Sequence, residues 1–225
     1  IRLIEPAIGG GFGLRGEVYP EDLLIALLAI RLERPVKWIE DRAEHLVAAN
    51  HSREQYHEAA LALDSDGRIL GLKSDFLLDT GAYVRNHGIR VGQISAKSMV
   101  GPYWIPAYRG VVQQVVTNKT PAGTYRGPGR FETNFVRERL VDIAAAKLGL
   151  DPAEIRRRNL IRAEDMPATP GPRDWGEPIV YESGDPPRML ECVLEAIGYE
   201  ELRAQQCRTN RRLGVGIAAF MEDGG

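Results

Sequence analysis

The sequence predicts an α+β fold of mixed sheets and helices. Three observations carry that prediction. Two strand-like runs, 54–63 and 68–78, flank Asp64-Ser65-Asp66-Gly67, and an Asp-Gly pair between such runs signals an antiparallel hairpin. A stripe at helical spacing, Val136, Leu140, Ile143 and Ala144, follows a loop full of breakers. The hairpin interrupts what would otherwise continue as strand–helix–strand units, so a doubly wound parallel sheet is not expected.

The elements follow in order. Ile1 to Ile8 reads as a short strand running into the loop Gly9-Gly10-Gly11-Phe12-Gly13. Pro20 with Glu21 and Asp22 suits a first helical turn, where proline loses no hydrogen bond and acids meet the dipole. The helix Glu21–Glu33 is apolar nearly all round and is expected inside. Arg34-Pro35 ends it, and Val36-Lys37-Trp38-Ile39 reads as a strand. Gly110 to Asn118 is a valine-rich strand candidate. Thr120 to Arg130 is a loop with breakers at Pro121, Gly123, Gly127, Pro128 and Gly129. The striped helix ends at Gly149, and Asp151-Pro152-Ala153-Glu154 reads as a capping box opening a helix to about Leu160. Residues 163–187, rich in proline, glycine and charge, read as a surface connection. Met189 to Ile197 reads as helix, and Val215 to Met221 as the start of a further strand.

Composition narrows the function classes. The chain has 225 residues, 29 basic and 31 acidic, for a net charge of −2. That balance argues against a general nucleic-acid binder. The longest apolar run, Leu23 to Ile30, is far short of the ~20 residues of a membrane helix. No signal peptide opens the chain, and Cys192 and Cys207 cannot form a disulfide framework or a four-cysteine zinc site. Cytoplasmic residence is expected. An opening without methionine and a Glu222-Asp223-Gly224-Gly225 ending read as a piece of something larger.

Two loops could carry chemistry. Gly11-Phe12-Gly13-Leu14-Arg15-Gly16 satisfies the dinucleotide pattern G-x-G-x-x-G, with Glu40 and Asp41 as acids near the next strand. The expected helix start at Pro20 lies too far on to bring its N-terminus onto a pyrophosphate. The second loop, Thr124-Tyr125-Arg126-Gly127-Pro128-Gly129-Arg130, sets two arginines among glycines, a composition suited to an oxyanion. Together the loops suit an elongated anionic cofactor.

Taken jointly, these residues resemble the molybdenum-binding large subunit of the xanthine dehydrogenase, aldehyde oxidase and aerobic carbon monoxide dehydrogenase family. Gly9 to Gly13 is similar to that family's first molybdopterin loop. Arg34-Pro35-Val36-Lys37 with Asp41-Arg42 resembles the segment after it. Tyr125 to Arg130 resembles the second loop, and Asp151 to Asn159 the next helix. The resemblance runs in order from Gly9 to about Ile161.

It implies a role for each position. Gly11, Phe12 and Gly13 would contact the molybdenum centre, partly through backbone N–H groups. Tyr125, Arg126 and Gly127 would complete the cofactor site, with Arg126 beside the metal. No side chain here would ligate the metal directly. The implied cofactor is molybdopterin, in its cytosine dinucleotide form if the source is bacterial. The implied reaction is hydroxylation of an aldehyde or N-heterocycle with water as oxygen source. Electrons would leave through iron–sulfur and FAD subunits or domains, in a dimer of heterotrimers. Residues 1–161 would form most of a first molybdopterin-binding domain, 162–211 a connection containing a helix, and 212–225 the start of a second.

Departures from the family pattern sharpen this. The copper-binding cysteine of the carbon monoxide branch is replaced by Gly127, so no copper is expected. Purine-oxidising members place an aromatic residue, an arginine and a glutamate where Pro128, Ile94 and Gly16 stand here, so this substrate pocket disfavours xanthine. The family's general-base glutamate sits in a Gly-Glu-Pro context near the subunit's end. Gly176-Glu177-Pro178 comes too soon after the second loop and reads as coincidence. The base is expected beyond Gly225, leaving this piece inactive alone. Two other readings stay open: a nicotinamide- or flavin-dependent oxidoreductase using Gly11–Gly16, and a non-catalytic family member.

The remaining notable residues read as structural. His45, His51, His57 and His87 lack metal-ligand spacing. Arg156-Arg157-Arg158 reads as a solvated helix face, Cys192 as core, and Trp38, Trp104 and Trp175 as packing.

Overall fold

The hairpin forms where its turn signal lies. In the computed structural model, which describes residues 2, 4, 6–170, 178–208 and 213–222, β1 (Gln55–Leu63) and β2 (Ile69–Asp79) pair antiparallel. The Asp64 carboxylate accepts the N–H groups of Asp66 (3.0 Å) and Arg68 (2.8 Å), closing the turn locally. Asn159 braces the same turn from outside. Its amide accepts from Ile69 N–H and donates to the Gly67 carbonyl, each at 2.8 Å.

The third strand, β3 (Tyr108–Val115), starts slightly earlier than expected and pairs parallel with β2. The sheet order is β1-β2-β3. A parallel neighbour needs a crossover, and α3 (Gly88–Ser98) lies within it. No helix signal marked this segment. It packs on β3 so closely that a side chain at Gly92 would meet Val112 and Gln114.

α4 (Arg130–Leu148) and α5 (Pro152–Asn159) close the core over the sheet. Gly149 ends α4 in the left-handed conformation, as expected. Asp151 caps α5 by accepting the Ala153 N–H at 2.7 Å. The second half of the expected capping box is missing, because Glu154 reaches forward to Arg158 at 2.8 Å. Met99, Val100, Tyr103, Val141, Ala145 and Ile155 fill the core, joined by Leu190 and Leu194 of α6 (Pro186–Ile197). A further helix, α7 (Tyr199–Arg208), follows Gly198 and was not foreseen.

Several expectations are overturned. The described residues of 1–8 form no strand, nor do 36–39. Residues 215–221 form no strand and pair with none among the described residues. Arg156 is not on a solvated face. It is wholly buried, with guanidinium bonds to Glu138 (3.0 Å), Asp142 (3.0 Å) and the carbonyls of Pro152 (2.8 Å) and Ile217 (2.7 Å). The helix expected inside, α1 (Pro20–Leu32), buries none of its residues, because nothing described packs over its outer leucines. Cys192, Trp38 and Trp104 are exposed too, facing away from the core helices rather than into them. Trp175 and the Gly176-Glu177 pair lie outside the described residues, as does the Cys207 side chain.

Glu40 and Asp41 meet no ribose-type position. Asp41 caps a short helix, α2 (Arg42–Ala48), in a true capping box. It accepts Glu44 N–H at 2.8 Å, and Glu44 accepts its N–H at 2.9 Å. Glu40 pairs with His45 at 2.7 Å.

Candidate functional site

The first loop, Gly9–Gly13, turns through left-handed backbone at Gly9, Gly10, Phe12 and Gly13, with Phe12 itself at φ 50. Only after it does a single 3-10 turn form, Leu14–Gly16, and α1 begins four residues later at Pro20. The dinucleotide reading fails on this geometry. Among the described residues no strand leads in, and no α-helix opens at the third glycine to face a pyrophosphate.

The two loops meet directly. Arg126 N–H donates to the Phe12 carbonyl at 2.9 Å. Gly13, at φ 85, lies so close to Thr124 that any side chain there would overlap its methyl group. Glycine is required at this position both by conformation and by contact. The Arg126 guanidinium lies 6.0 Å from the Phe12 ring centroid. That ring is 57% exposed, although it is a large apolar group. No hydrogen bond among the described residues uses the N–H groups of Gly11, Phe12 or Gly13. The loops thus present free donors, an arginine and an uncovered aromatic face on one side. That set fits a large anionic ligand carrying a flat ring system.

Helix α3 gathers the other named positions. Its N-cap residue, His87, lies 3.3 Å from where a Gly16 side chain would start. Its Ser95 and Val91 crowd Gly129, which takes φ 74 to end the second loop. Ile94, half-buried, shares a groove with Lys97, Ser98 and Arg130. Pro128 is half-buried in the loop between. Glu17, beside Gly16, is turned away from this side. Its side chain is 1% exposed, and it accepts the His87 N–H at 3.1 Å, tying down the start of α3.

Sequence reasoning missed one residue beneath the loops. Arg53 donates from Nη2 to the carbonyls of Arg126 (2.7 Å) and Tyr125 (3.2 Å). An arginine in the polar stretch 50–54 gives no local signal of such a role. Among the described residues no group of three histidines, cysteines or carboxylates could hold a metal ion.

Comparison with known proteins gives the class. Residues 1–160 match the family model for the molybdopterin cofactor-binding domain, and the chain belongs to that family. It is 43% identical over 228 residues to the 6-hydroxypseudooxynicotine dehydrogenase complex subunit gamma of Paenarthrobacter nicotinovorans, covering 100% of this chain and 29% of that protein. It is 36% identical over 233 residues to the carbon monoxide dehydrogenase large chain of Hydrogenophaga pseudoflava, covering 99% and 28%. Its fold matches quinoline 2-oxidoreductase of Pseudomonas putida 86 with a TM-score of 0.79 at 38% identity, over 90% of this chain and 25% of that one. The chain therefore spans less than a third of the length of these relatives.

Proposed function

We propose that this chain is the first cofactor-binding portion of a molybdenum hydroxylase large subunit. The observation that carries the reading is the junction of the two loops, Arg126 N–H on the Phe12 carbonyl, with free N–H donors and an exposed ring beside it. The 43% identity to a dehydrogenase subunit supports it. Residues 1–161 then make up most of one molybdopterin-binding domain, 162–211 a connection, and 212–225 the approach to a second.

Molybdopterin with molybdenum, when bound, supplies a two-electron redox centre for hydroxylation with oxygen from water. The chain's own residues hold it. Gly11, Phe12 and Gly13 would hold it through their backbone N–H groups, which bond nothing else among the described residues. Arg126 neutralises its anionic charge through charge-assisted bonds. Tyr125 and Gly127 shape the second wall, and the Phe12 ring keeps water from one face. The cofactor is the cytosine dinucleotide form, consistent with bacterial relatives. Gly127 offers no side chain to copper.

The substrate is an N-heterocycle or an aldehyde. An N-heterocycle is favoured by the relatives named for a nicotine derivative and for quinoline. Gly16, Ile94 and Pro128 leave no charged or aromatic grip for a purine. Electrons pass to iron–sulfur and FAD partners in a dimer of heterotrimers, a cytoplasmic complex whose general-base glutamate lies outside these residues.

The test is metal and nucleotide analysis of the full-length protein from a host that makes molybdenum cofactor. Stoichiometric molybdenum, with CMP released by acid hydrolysis, is expected. A folded protein without molybdenum or pterin would leave only the non-catalytic reading.

A further inference from the structure

Arg53 and Glu132 form a pair that the cofactor reading does not use. Arg53 adopts φ 75, a conformation that side chains other than glycine's rarely take. It does so at the end of a segment held beside the second loop, where His51 N–H donates to Pro121 and Gly123 N–H to His51, both at 2.9 Å. The bend carries the guanidinium under the loop. One nitrogen there serves two successive carbonyls, those of Tyr125 and Arg126. The guanidinium carbon lies 4.3 Å from the Phe131 ring centroid and 5.3 Å from that of Tyr125. The other nitrogen, Nη1, faces Glu132 at 3.7 Å.

Glu132 is the second observation. Its side chain is 6% exposed, and neither of its oxygens finds a hydrogen-bond partner among the described residues. Arg53 Nη1 lacks one as well. Burial raises this carboxyl above its ordinary range; its own backbone N–H, then the Arg53 charge and the Gly129 N–H, oppose that rise. A buried carboxylate with one cationic neighbour fixes where that neighbour's other nitrogen points.

Two consecutive carbonyls can face one nitrogen only if the backbone turns sharply. Arg126, at φ 24, supplies that turn. In the planar trans peptide joining Tyr125 to Arg126, the N–H points opposite to the carbonyl that Arg53 holds, and so onto the Phe12 carbonyl. We infer that Arg53, aimed by Glu132, is a positioning residue that sets the junction of the two loops and so presents Phe12 and Arg126 together. The inference rests on the reading of these loops as the cofactor cradle.

The experiment is hydrogen exchange on the full-length protein, comparing wild type with Arg53→Met and Glu132→Gln. The Gly67 amide in the hairpin turn serves as internal control. Arg53→Met is expected to speed exchange of the Arg126 amide and leave Gly67 unchanged. It should also weaken cofactor retention by roughly 10- to 100-fold, the usual cost of losing a residue that supports a ligand-binding group. In loaded preparations, Arg53→Lys should alter the molybdenum(V) spectrum, which a residue that merely fills space would leave alone. Should Arg53→Met not fold, Glu132→Gln keeps the shape and is expected to shift the Arg126 amide in the same direction, by less. Unchanged Arg126 exchange in the folded variants, with an unchanged spectrum, would overturn the inference. A wild-type protein without pterin would instead sink the cofactor reading, and the amide comparison would still decide the role of Arg53.

Discussion

Arg156 is wholly buried between α4 and α5, while Leu27 on α1 is 62% exposed. By residue type alone the two would exchange places. Around Arg156 the chain has built a set of partners. Glu138 accepts from Arg156, from Arg137 (3.1 Å), from the Tyr103 hydroxyl (3.0 Å) and from the Ala219 N–H (3.0 Å). Arg137 reaches on to the Ala219 carbonyl at 2.9 Å. The buried charges thus hold the segment 215–221 by its backbone, bonding the Ile217 and Ala219 carbonyls and the Ala219 N–H as a neighbouring strand would. Around Leu27 no such partner exists among the described residues. Leu23, Leu24, Leu27, Ile30 and Leu32 of α1 lie open together. Apolar surface of that extent is uncommon on a folded monomer. The difference teaches that burial follows the partners available, and that polarity alone does not assign it.

That comparison can be broken by substitution. Glu138→Ala leaves two buried guanidinium groups without their shared carboxylate. It is expected to cost about 3–5 kcal/mol, read by urea denaturation, and to release the 215–221 segment to proteolysis. A loss below about 1 kcal/mol, the level of a surface pair, would show the cluster to be solvated. Gly13→Ala forces a side chain into Thr124 at a left-handed backbone position. The expected cost is roughly 1–3 kcal/mol, with cofactor content of the full-length protein falling alongside. Leu27→Lys should change the stability of this chain by no more than about 0.5 kcal/mol, since the residue is largely exposed here. In the full-length protein the same change should destabilise strongly. Equal small effects in both would show α1 to be a genuine outer surface.

A pH slope at His57 sharpens the comparison from the side of a half-buried titratable group. Burial beside Phe76, whose ring it stacks at 4.4 Å, lowers its folded pKa to about 4 from an ordinary value of 6.5. As pH falls below 6.5, the unfolded chain therefore takes up this proton first. Stability should decline between pH 6.5 and about 4 and flatten below. His57→Gln should remove that part of the slope in a series of denaturation curves. A slope unchanged by the substitution would place the titration elsewhere.

What was legible in the sequence was mostly local. The turn chemistry of Asp64 and Gly67, the stripe on α4 and the proline and aspartate opening α5 all act within a few residues, and all formed. Both loops of the candidate site were visible as glycine and arginine patterns. Their meeting was not, because a bond between Arg126 and Phe12 has no local signature. The helix α3 went unseen since tight packing on β3, seen at Gly92, rather than an apolar stripe, holds it. For α2 the signal existed: Asp41 and Glu44 form a capping box. It was missed because Asp41 was weighed as a ribose ligand instead. Arg156 was misplaced because three arginines in a row look like surface until Glu138, 18 positions earlier, is brought beside them.

The hydrogen bond between the two loops has a consequence in time. Phe12 and Arg126 lie 114 positions apart along the chain. During synthesis at roughly 5–20 residues per second, the first loop would leave the ribosome about 6–23 s before its partner exists. The second loop, moreover, emerges directly after β3, whose parallel pairing is among the slower contacts a chain can form. The proposed binding face is therefore a late product of folding. Any factor that delivers a cofactor to it must wait for the sheet, or keep hold of an open chain until the sheet has closed.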